Sequence, residues 1–555
     1  MKPQFLPLTL GLFLTCLQVC ATQWTVSNSP QAPAQFTVLQ VAVDSASVGD
    51  TLLVSGTGIA YASVIIDKPL VVIGEGYTPA SQATMVFEMD IRSSDVFVSG
   101  FSSTPNGSNN LGFKLNAFSA PGQALTNVRI TRSRVLINFR GSNTIGAGLF
   151  SNISVNDCVI THMQFAEWNE NRFVFDSLLF TNNIFDYTCR FAPNPNGGFP
   201  NDYIGTETII LDHNDFLGIG TTVGGGNGWG AFWTQFIATQ GWPQGQMVVS
   251  NNIFRGTGPR GCPNCCFINN MTYGAGPEDS DSVAVLVCGD GNYWNVDPQI
   301  TGGEFNINND YTLPQGSLAI GAASDGTDIG ITGGVSPMDP GERPLGPKVY
   351  TSDIVQVAVP PDSAYDFLLT AYSNDTPVVP LVMYEYLFDT DIGVGAGALT
   401  QTPPMDIIEI LAEGVATGLS LGTHLFGVRA RDEQGLWSHA RWEPINICDT
   451  YGPEASFTTY RSGRTVSFID KSDYTASVEF DFGDGQSSTV RYPVHTYAGS
   501  GLFEARQTAT NPCGTDTTYR IVSISGLSAY QPKKASNAGF CTIAGPGSIV
   551  QWSSG

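Results

Sequence analysis

One apolar pattern recurs in five rows of the chain and constrains the fold more than any other feature. Each row has apolar residues at offsets 0, 2 and 7 and a serine, cysteine or asparagine at offset 5. Offsets 0 and 2 place two side chains on one face of a short strand, and the break before offset 5 predicts a turn. A single row cannot bury its apolar face, so the rows must stack to form a continuous core. They start at Val128, Ile153, Leu178, Ile209 and Met247.

Asparagine occupies offset 5 in the last three rows. An inward amide in a stack of like turns can bond to the amide of the next row, as in other stacked β structures. We therefore predict that an amide ladder is the role of Asn183, Asn214 and Asn252.

Two segments that flank the rows resemble the first and last coils of bacterial right-handed parallel β-helix proteins. The first contains Gln40–Asp44 and Ile73–Gly76, and the second contains Asp310–Leu313 and Asp328–Gly330. The resemblance implies an all-β chain with a right-handed parallel β-helix solenoid at residues 22–336. It implies no single activity, because this fold hosts many reactions.

The chain after this region resembles small β-sandwich modules. A linker rich in proline and glycine is predicted at residues 337–348. Residues 349–450 resemble an Ig-like module of secreted Bacteroidota proteins, on the runs Glu385–Asp391 and Val428–Asp432. The resemblance implies a second domain of antiparallel sheets and an origin in that bacterial group.

Residues 451–526 resemble a PKD domain. Val478–Gly485 matches its signature strand and turn, and His495–Tyr497 and Gly501–Phe503 match the strands that follow, whereas Glu479 replaces the usual aromatic residue. The resemblance implies a spacer, or a module with weak glycan and protein contacts.

The N-terminus predicts export. Lys2 precedes the apolar run Phe5–Val19, and small residues precede a cleavage point after Ala21, so residues 1–21 match a signal peptide. A lipoprotein cut before Cys20 is the lesser alternative. The run is too short to cross a bilayer, so we expect no integral membrane protein. The predicted location is secreted, extracellular or on the cell surface. The C-terminal residues 527–555 match no module and stay unassigned, and a truncated chain is one interpretation of them.

Composition and charge narrow the class of partner. The net charge of −24 disfavours nucleic acid, whose phosphates need a basic surface. Apolar residues make up 42% and charged residues 13%, which is the balance of a folded chain.

Cysteine and carboxylate motifs give weak indications of metal. Cys262-x2-Cys265-Cys266 resembles half a zinc site, but no second pair follows nearby, so disulfides or buried thiols are the preferred prediction. Asp389-x-Asp391-x-Gly393 resembles part of a calcium loop without its closing glutamate, and a plain turn is preferred. The sequence therefore predicts no metal site and no cofactor, with calcium as the alternative.

Two rows carry long insertions, residues 186–207 and 217–246. Loops of neighbouring rungs emerge side by side, and exposed aromatic rings suit the apolar faces of sugars. The second insertion supplies four aromatic candidates for carbohydrate binding among many glycines, and a small core under the loops is the competing interpretation. The candidates are Trp229, Phe232, Trp233 and Trp242.

Acidic residues in and beside the insertions are the catalytic candidates. A carboxylate pair could hydrolyse a glycosidic bond, and Ile210–His213 is similar to a short motif of pectate lyases. No lysine occurs between Lys114 and Lys348, so a lyase would need an arginine as base. The candidates are Asp202, Glu207, Asp212, His213, Asp215 and Arg190.

These observations leave two classes of function. The preferred hypothesis is a secreted or cell-surface protein that binds glycans or other surfaces without catalysis, with the β-helix as platform and the PKD domain as spacer. The alternative is a polysaccharide-active enzyme, lyase or glycoside hydrolase, with its cleft at residues 186–246. A polysaccharide or cell-surface glycan is the expected partner in both.

Overall fold

The computed structural model describes most of the chain from residue 21 to residue 524. The described ranges are 21–77, 81–103, 112–117, 124–140, 149–165, 174–175, 177–186, 189–190, 209–217, 232–233, 247–255, 265–273, 291–300, 311–335, 337–338, 345–375 and 377–524.

The N-terminal part is built from two parallel sheets whose neighbouring strands come from successive turns of the chain. One short helix, α1 (Leu39–Ser45), precedes the second strand. The first sheet contains β1 (Gln23–Val26), β2 (Thr51–Val54), β4 (Val71–Gly74), β7 (Val96–Ser99), β10 (Leu125–Thr131), β12 (Leu149–Asn156), β14 (Val174–Phe175), β15 (Leu178–Thr181), β18 (Ile209–Asp212), β21 (Met247–Ser250) and β23 (Cys265–Ile268). The second contains β3 (Val64–Ile66), β5 (Met85–Val86), β6 (Glu88–Ile91), β8 (Ser102–Ser103), β9 (Gly112–Asn116), β11 (Arg134–Arg140), β13 (Val159–Phe165), β16 (Ile184–Phe185), β17 (Cys189–Arg190), β19 (Asp215–Phe216), β20 (Phe232–Trp233), β22 (Ile253–Arg255) and β24 (Met271–Tyr273).

The register of the first sheet confirms the stacking of the five rows. Val128 pairs with Ile153, Leu178 lies between Ile153 and Ile209, and Ile209 pairs with Met247. The solenoid, as we call these two sheets, encloses one apolar core. Within it the rings of Phe185, Phe216 and Phe254 stack at centroid separations of 4.4 and 4.5 Å.

The turn between the two strands of each row has a left-handed residue at offset 4. The φ angles of this column lie between 48° and 57° at Arg132, Asp157, Asn182, His213 and Asn251. At the next position, offset 5, the asparagine side chains of the last three rows point into the core. This confirms the predicted amide ladder. Asn183, Asn214, Asn252, Asn270 and Asn292 are linked amide to amide in this order.

The closing segment, residues 311–335 and 337–338, packs against the outside of the second sheet. Its apolar side chains bury a column of the solenoid that would otherwise face water. Ile184, Ile253 and Met271 belong to this column, and Ile329 and Ile331 cover it. The closing segment therefore shields one outer face of the solenoid.

The C-terminal part is antiparallel, which confirms the predicted all-β class with parallel sheets followed by sandwiches. The first sandwich pairs β25 (Pro347–Ile354), β26 (Ala364–Ser373) and β29 (Ile407–Val415) in one sheet and β28 (Ala398–Met405), β27 (Leu381–Phe388), β30 (Gly422–Asp432) and β31 (Arg441–Ile447) in the other. The second has β32 (Phe457–Ser462), β33 (Thr465–Asp470) and β36 (Val494–Thr496) against β35 (Ser487–Ser488), β34 (Ser477–Asp481), β37 (Gly501–Asn511) and β38 (Gly514–Ile524).

The described residues form two compact units. The first comprises the described parts of Met1–Val355, Tyr365–Gly414 and Thr423–Ile445, so the solenoid and most of the first sandwich belong together. The second comprises Gln356–Ala364, Val415–Gly422 and the described residues from Asn446 onward, and it contains the disulfide Cys448–Cys513. Within the described ranges no helix has the length and apolarity that a membrane span requires.

Candidate functional site

Three of the predicted catalytic residues lie in one turn of the solenoid, between β18 and β19. His213 is 2% exposed, and its Nδ1 lies 2.9 Å from Oδ2 of Asp212. The other ring nitrogen, Nε2, lies 3.2 Å from Oγ1 of Thr327 in the closing segment. Oδ1 of Asp212 accepts hydrogen bonds from Ser250 Oγ at 2.6 Å and Asn251 Nδ2 at 2.8 Å. Both side chains are therefore engaged by protein partners.

The third residue, Asp215, is fully buried in the outer apolar column. Its backbone pairs with Ile184 on one side and Ile253 on the other. Oδ1 accepts a hydrogen bond from the main-chain N–H of Ile331 at 3.3 Å, and Oδ2 has no hydrogen-bond partner among the described residues. Burial raises the pKa of Asp215 to about 7, opposed by the Ile331 N–H and by the charge of Arg255.

The same turns hold the closing segment in place. Asn182 Nδ2 donates to the carbonyl of Gly333 at 2.8 Å, and Asn251 Oδ1 accepts the N–H of Ser324 at 2.7 Å. His213 occupies offset 4 of its row, as these two asparagines do in theirs, and all three have a left-handed backbone conformation. Its bond to Thr327 is therefore one of a series of tethers between the solenoid and the closing segment. Nothing in the local sequence pattern around Thr327 or Ser324 marks them as partners of these turns.

The remaining predicted residues are only partly within the described ranges. Asp202, Glu207, Trp229 and Trp242 lie outside them. Arg190 lies in β17 and Phe232–Trp233 form β20, and the two strands pair in parallel with Arg190 opposite Trp233. One short strand from each insertion thus takes part in this ladder, and the binding and catalytic roles of these residues stay predictions.

A cleft of about 310 Å³ lies within the first unit, between the first rungs of the solenoid and the first sandwich. Four charged side chains line it: Glu75 on the solenoid side and Lys348, Arg441 and Glu443 on the sandwich side. Trp442 adds an indole ring. No spacing in the sequence joins these residues, since they come from three separate segments, at residues 75, 348 and 441–443.

Two of the charged side chains on the sandwich side of the cleft form an ion pair. Arg441 Nη2 lies 2.7 Å from Oε1 of Glu443. Burial raises the pKa of Glu75 to about 7, and the charge of Lys348, the N–H of Gly56 and the charge of Arg441 oppose that shift. A carboxyl group with this pKa exists in both protonation states near neutral pH, so it can donate as well as accept a hydrogen bond.

The walls of the cleft are fixed by a packed junction. The ring of Trp437 is buried against Leu53 and Ile73 of the solenoid. Gln23 Nε2 donates to the carbonyl of Gly435 at 2.7 Å, and His439 Nε2 lies 3.1 Å from the carbonyl oxygen of Ile73. Burial lowers the pKa of His439 to about 4, so this ring is neutral at pH 7 and Nε2 carries its proton toward Ile73.

In the turn that resembles a calcium loop, the carboxylates of both aspartates bond to other groups of the protein. Asp391 bonds to the buried guanidinium of Arg429 at 3.0 and 3.2 Å and accepts the N–H of Gly393 at 2.9 Å. Asp389 lies 2.6 Å from Nδ1 of His424 and accepts the N–H of Leu425 at 2.8 Å. These bonds favour the plain turn.

One cluster of potential metal ligands occurs among the described residues, at Cys448, Asp449 and Cys513. Its two cysteines are joined in a disulfide, which leaves no thiolate for a metal. The side chains of Cys262 and Cys265 lie outside the described part of the structure.

Comparison with known proteins identifies the second sandwich. Residues 451–525 match the family model of the PKD domain. The chain is similar to the PKD1 domain of Vibrio anguillarum Epp, at 31% identity over 13% of this chain and 92% of that one, with a TM-score of 0.13. It is also similar to the fibronectin(III)-like modules of Clostridium thermocellum CbhA, at 14% identity over 34% of this chain and 99% of that one, with a TM-score of 0.17. No curated protein matches the chain.

The PKD match agrees with the expectation of an extracellular protein of several domains. It covers the C-terminal module alone, so the activity of the solenoid has to be argued from its own residues.

Proposed function

We propose that this chain is a secreted or cell-surface protein that binds glycans and does not cleave them. The solenoid, a right-handed parallel β-helix of the type exported by Bacteroidota, is the platform, and the two sandwiches are spacers. The proposed carbohydrate-contacting residues are Trp229, Phe232, Trp233 and Trp242 of the second insertion.

The observation that supports binding without cleavage is the state of the predicted acids. Asp212 accepts hydrogen bonds from Ser250 and Asn251, and Nε2 of His213 lies within hydrogen-bond distance of Thr327. Asp215 lies beneath the closing segment, where a polysaccharide would first have to displace Ile329 and Ile331. A general acid or base must lie within hydrogen-bond reach of its substrate, and these three residues are better suited to stabilise the fold.

The experiment is a glycan array probed with the mature protein and read for both binding and release of cleaved products. We expect binding without cleavage, and loss of the binding that the second insertion contributes in Trp229→Ala, with an unchanged melting temperature. Cleavage products from the wild-type protein would contradict the proposal and favour a lyase or hydrolase. The absence of binding to every glycan would overturn it.

A further inference from the structure

We propose that the cleft between the solenoid and the first sandwich is a second glycan-binding site, which holds one or two sugar units of an uncharged glycan. The proposal rests on the proposed function and adds a location that is separate from the aromatic insertion.

The size and rigidity of the cleft fit this ligand. Its volume of about 310 Å³ is at the small end of ligand pockets, which suits a short stretch of glycan. The cleft lies beside a junction that already packs Trp437 against Leu53 and Ile73 and bonds His439 to Ile73. A site whose walls are fixed before binding loses little conformational entropy when it is filled.

Trp442 supplies the apolar surface that a sugar ring needs. A Cβ atom at Gly427 of β30 would lie 2.7 Å from its indole, so the ring packs directly on the backbone of this strand. Trp442 is half-buried and lines the cleft. An indole held in this way offers a large contact area at low entropic cost.

The polar lining matches hydroxyl groups, which both donate and accept. Glu75 and Glu443 offer acceptors, Lys348 and Arg441 offer donors, and the amides of Gln31 and Gln82 offer both, as does the carboxyl of Glu75 when it is protonated. With Glu75 ionised the two acidic and two basic side chains cancel in charge, and with Glu75 protonated one positive charge remains, so a cationic polymer gains no net attraction in the cleft in either state. An uncharged saccharide meets no charge repulsion in either state.

The test uses the full mature chain and the uncharged glycan that gives the strongest signal on the array. Its affinity is measured by isothermal titration calorimetry in a Trp229→Ala background, where the cleft is the remaining proposed site, for the otherwise unchanged protein, Trp442→Ala, and Ala32→Trp, which fills the cleft from the solenoid side. We expect each variant to weaken binding at least about tenfold, as the loss of one stacked ring or of the space for a sugar would do. The control is Tyr460→Ala, which removes an aromatic ring that is 65% exposed on the PKD domain.

The variants also separate a binding effect from a folding effect. Trp442→Ala removes packing over Gly427, whereas Ala32→Trp changes a half-buried turn residue, so the second variant should keep its melting temperature. Unchanged affinity in Ala32→Trp overturns the cleft proposal. If Trp229→Ala is the only substitution that weakens binding, the proposed function stands. If the wild-type protein binds no glycan, both proposals fall.

Discussion

The side-chain Nδ2 of Asn214 donates to Oδ1 of Asn252 across 2.9 Å, and the main-chain N–H of Asn214 donates to the same oxygen across 2.8 Å. The same pair of bonds links Asn183 to Asn214 and Asn252 to Asn270. Each Nδ2 also donates to a carbonyl of the preceding row, as Asn214 does to Phe180 at 2.9 Å. The ladder therefore satisfies polar groups inside an apolar core and holds successive rows in register.

We predict that Asn214→Leu destabilises the solenoid by about 3 kcal/mol or more, because it leaves two donors of Asn183 buried without an acceptor. Asn152→Gly is the control, since Asn152 is exposed, has a φ of 51° and bonds only at the surface. Thermal and urea unfolding followed by far-ultraviolet circular dichroism measure the two effects. Equal melting temperatures for Asn214→Leu and the wild-type protein would show that the ladder contributes nothing to stability.

The buried carboxyl of Asp215 predicts a stability that falls as pH rises. Burial raises its pKa to about 7 from the ordinary value of 3.8, so the folded state favours the protonated form. The associated loss of stability begins near pH 4, grows up to about pH 7 and is then constant, at on the order of 4 kcal/mol. Asp215→Asn keeps an acceptor for the N–H of Ile331 and removes the titration.

The measurement is urea unfolding of both proteins at pH 4 and pH 8. We expect the free energy of unfolding of Asp215→Asn to be close to the wild-type value at pH 4 and higher than it at pH 8. The control is Asp67→Asn at an exposed position, whose free energy of unfolding should match the wild-type value at both pH values. A constant difference between Asp215→Asn and the wild-type protein at both pH values would refute a buried, titrating Asp215.

A buried ion cluster in the first sandwich gives the third prediction. Arg429 is 0% exposed and contacts Glu385, which is 0% exposed, and Asp391, which is 4% exposed. Arg429→Met should destabilise the sandwich by about 3–5 kcal/mol, because two buried carboxylates lose their cation. Arg506→Met, which breaks a pair with both side chains more than 40% exposed, should cost less than about 1 kcal/mol. Similar midpoints for the two variants in urea would contradict a structural role for the cluster.

The parts of the structure that the sequence could predict are those with a short period. The rows from Val128 to Met247 and the column of asparagines repeat at fixed offsets, so their stacking follows from the pattern alone. The contact of His213 with Thr327 spans 114 residues, and that of Gln23 with Trp437 spans 414 residues. Such contacts depend on how the closing segment and the sandwich dock, and local propensity contains no information about that.

The same difference applies to the catalytic candidates, whose roles stay predictions. Ile210–His213 is similar to a short motif of pectate lyases, and aspartate and asparagine also favour turns, so the local sequence fits both interpretations. The structure adds the hydrogen bond from Asn251 to Oδ1 of Asp212 and the contact of Nε2 of His213 with Thr327. The cleft at Trp442 had no signal in the sequence, because its lining residues come from distant segments.

The last prediction concerns the independence of the PKD domain. Its apolar core consists of residues between Phe457 and Ile524 alone, so it should fold without the solenoid and the solenoid without it. Deletion of residues 452–526, made together with Cys448→Ser to avoid an unpaired thiol, should leave the melting temperature of the solenoid within about 2 °C of its original value.

The disulfide needs a separate control, because the deletion removes it as well. Cys448 and Cys513 close a loop with a sequence separation of 65 residues, so its loss should destabilise the part of the chain that the loop encloses by up to about 4 kcal/mol. In the full chain, Cys448→Ser with Cys513→Ser should lower the midpoint of the PKD transition and leave the solenoid transition in place. Calorimetry resolves the two transitions, since independent domains unfold separately. If the deletion abolishes the cooperative solenoid transition while the double serine variant preserves it, the solenoid depends on contacts with the PKD domain, and the two are one folding unit.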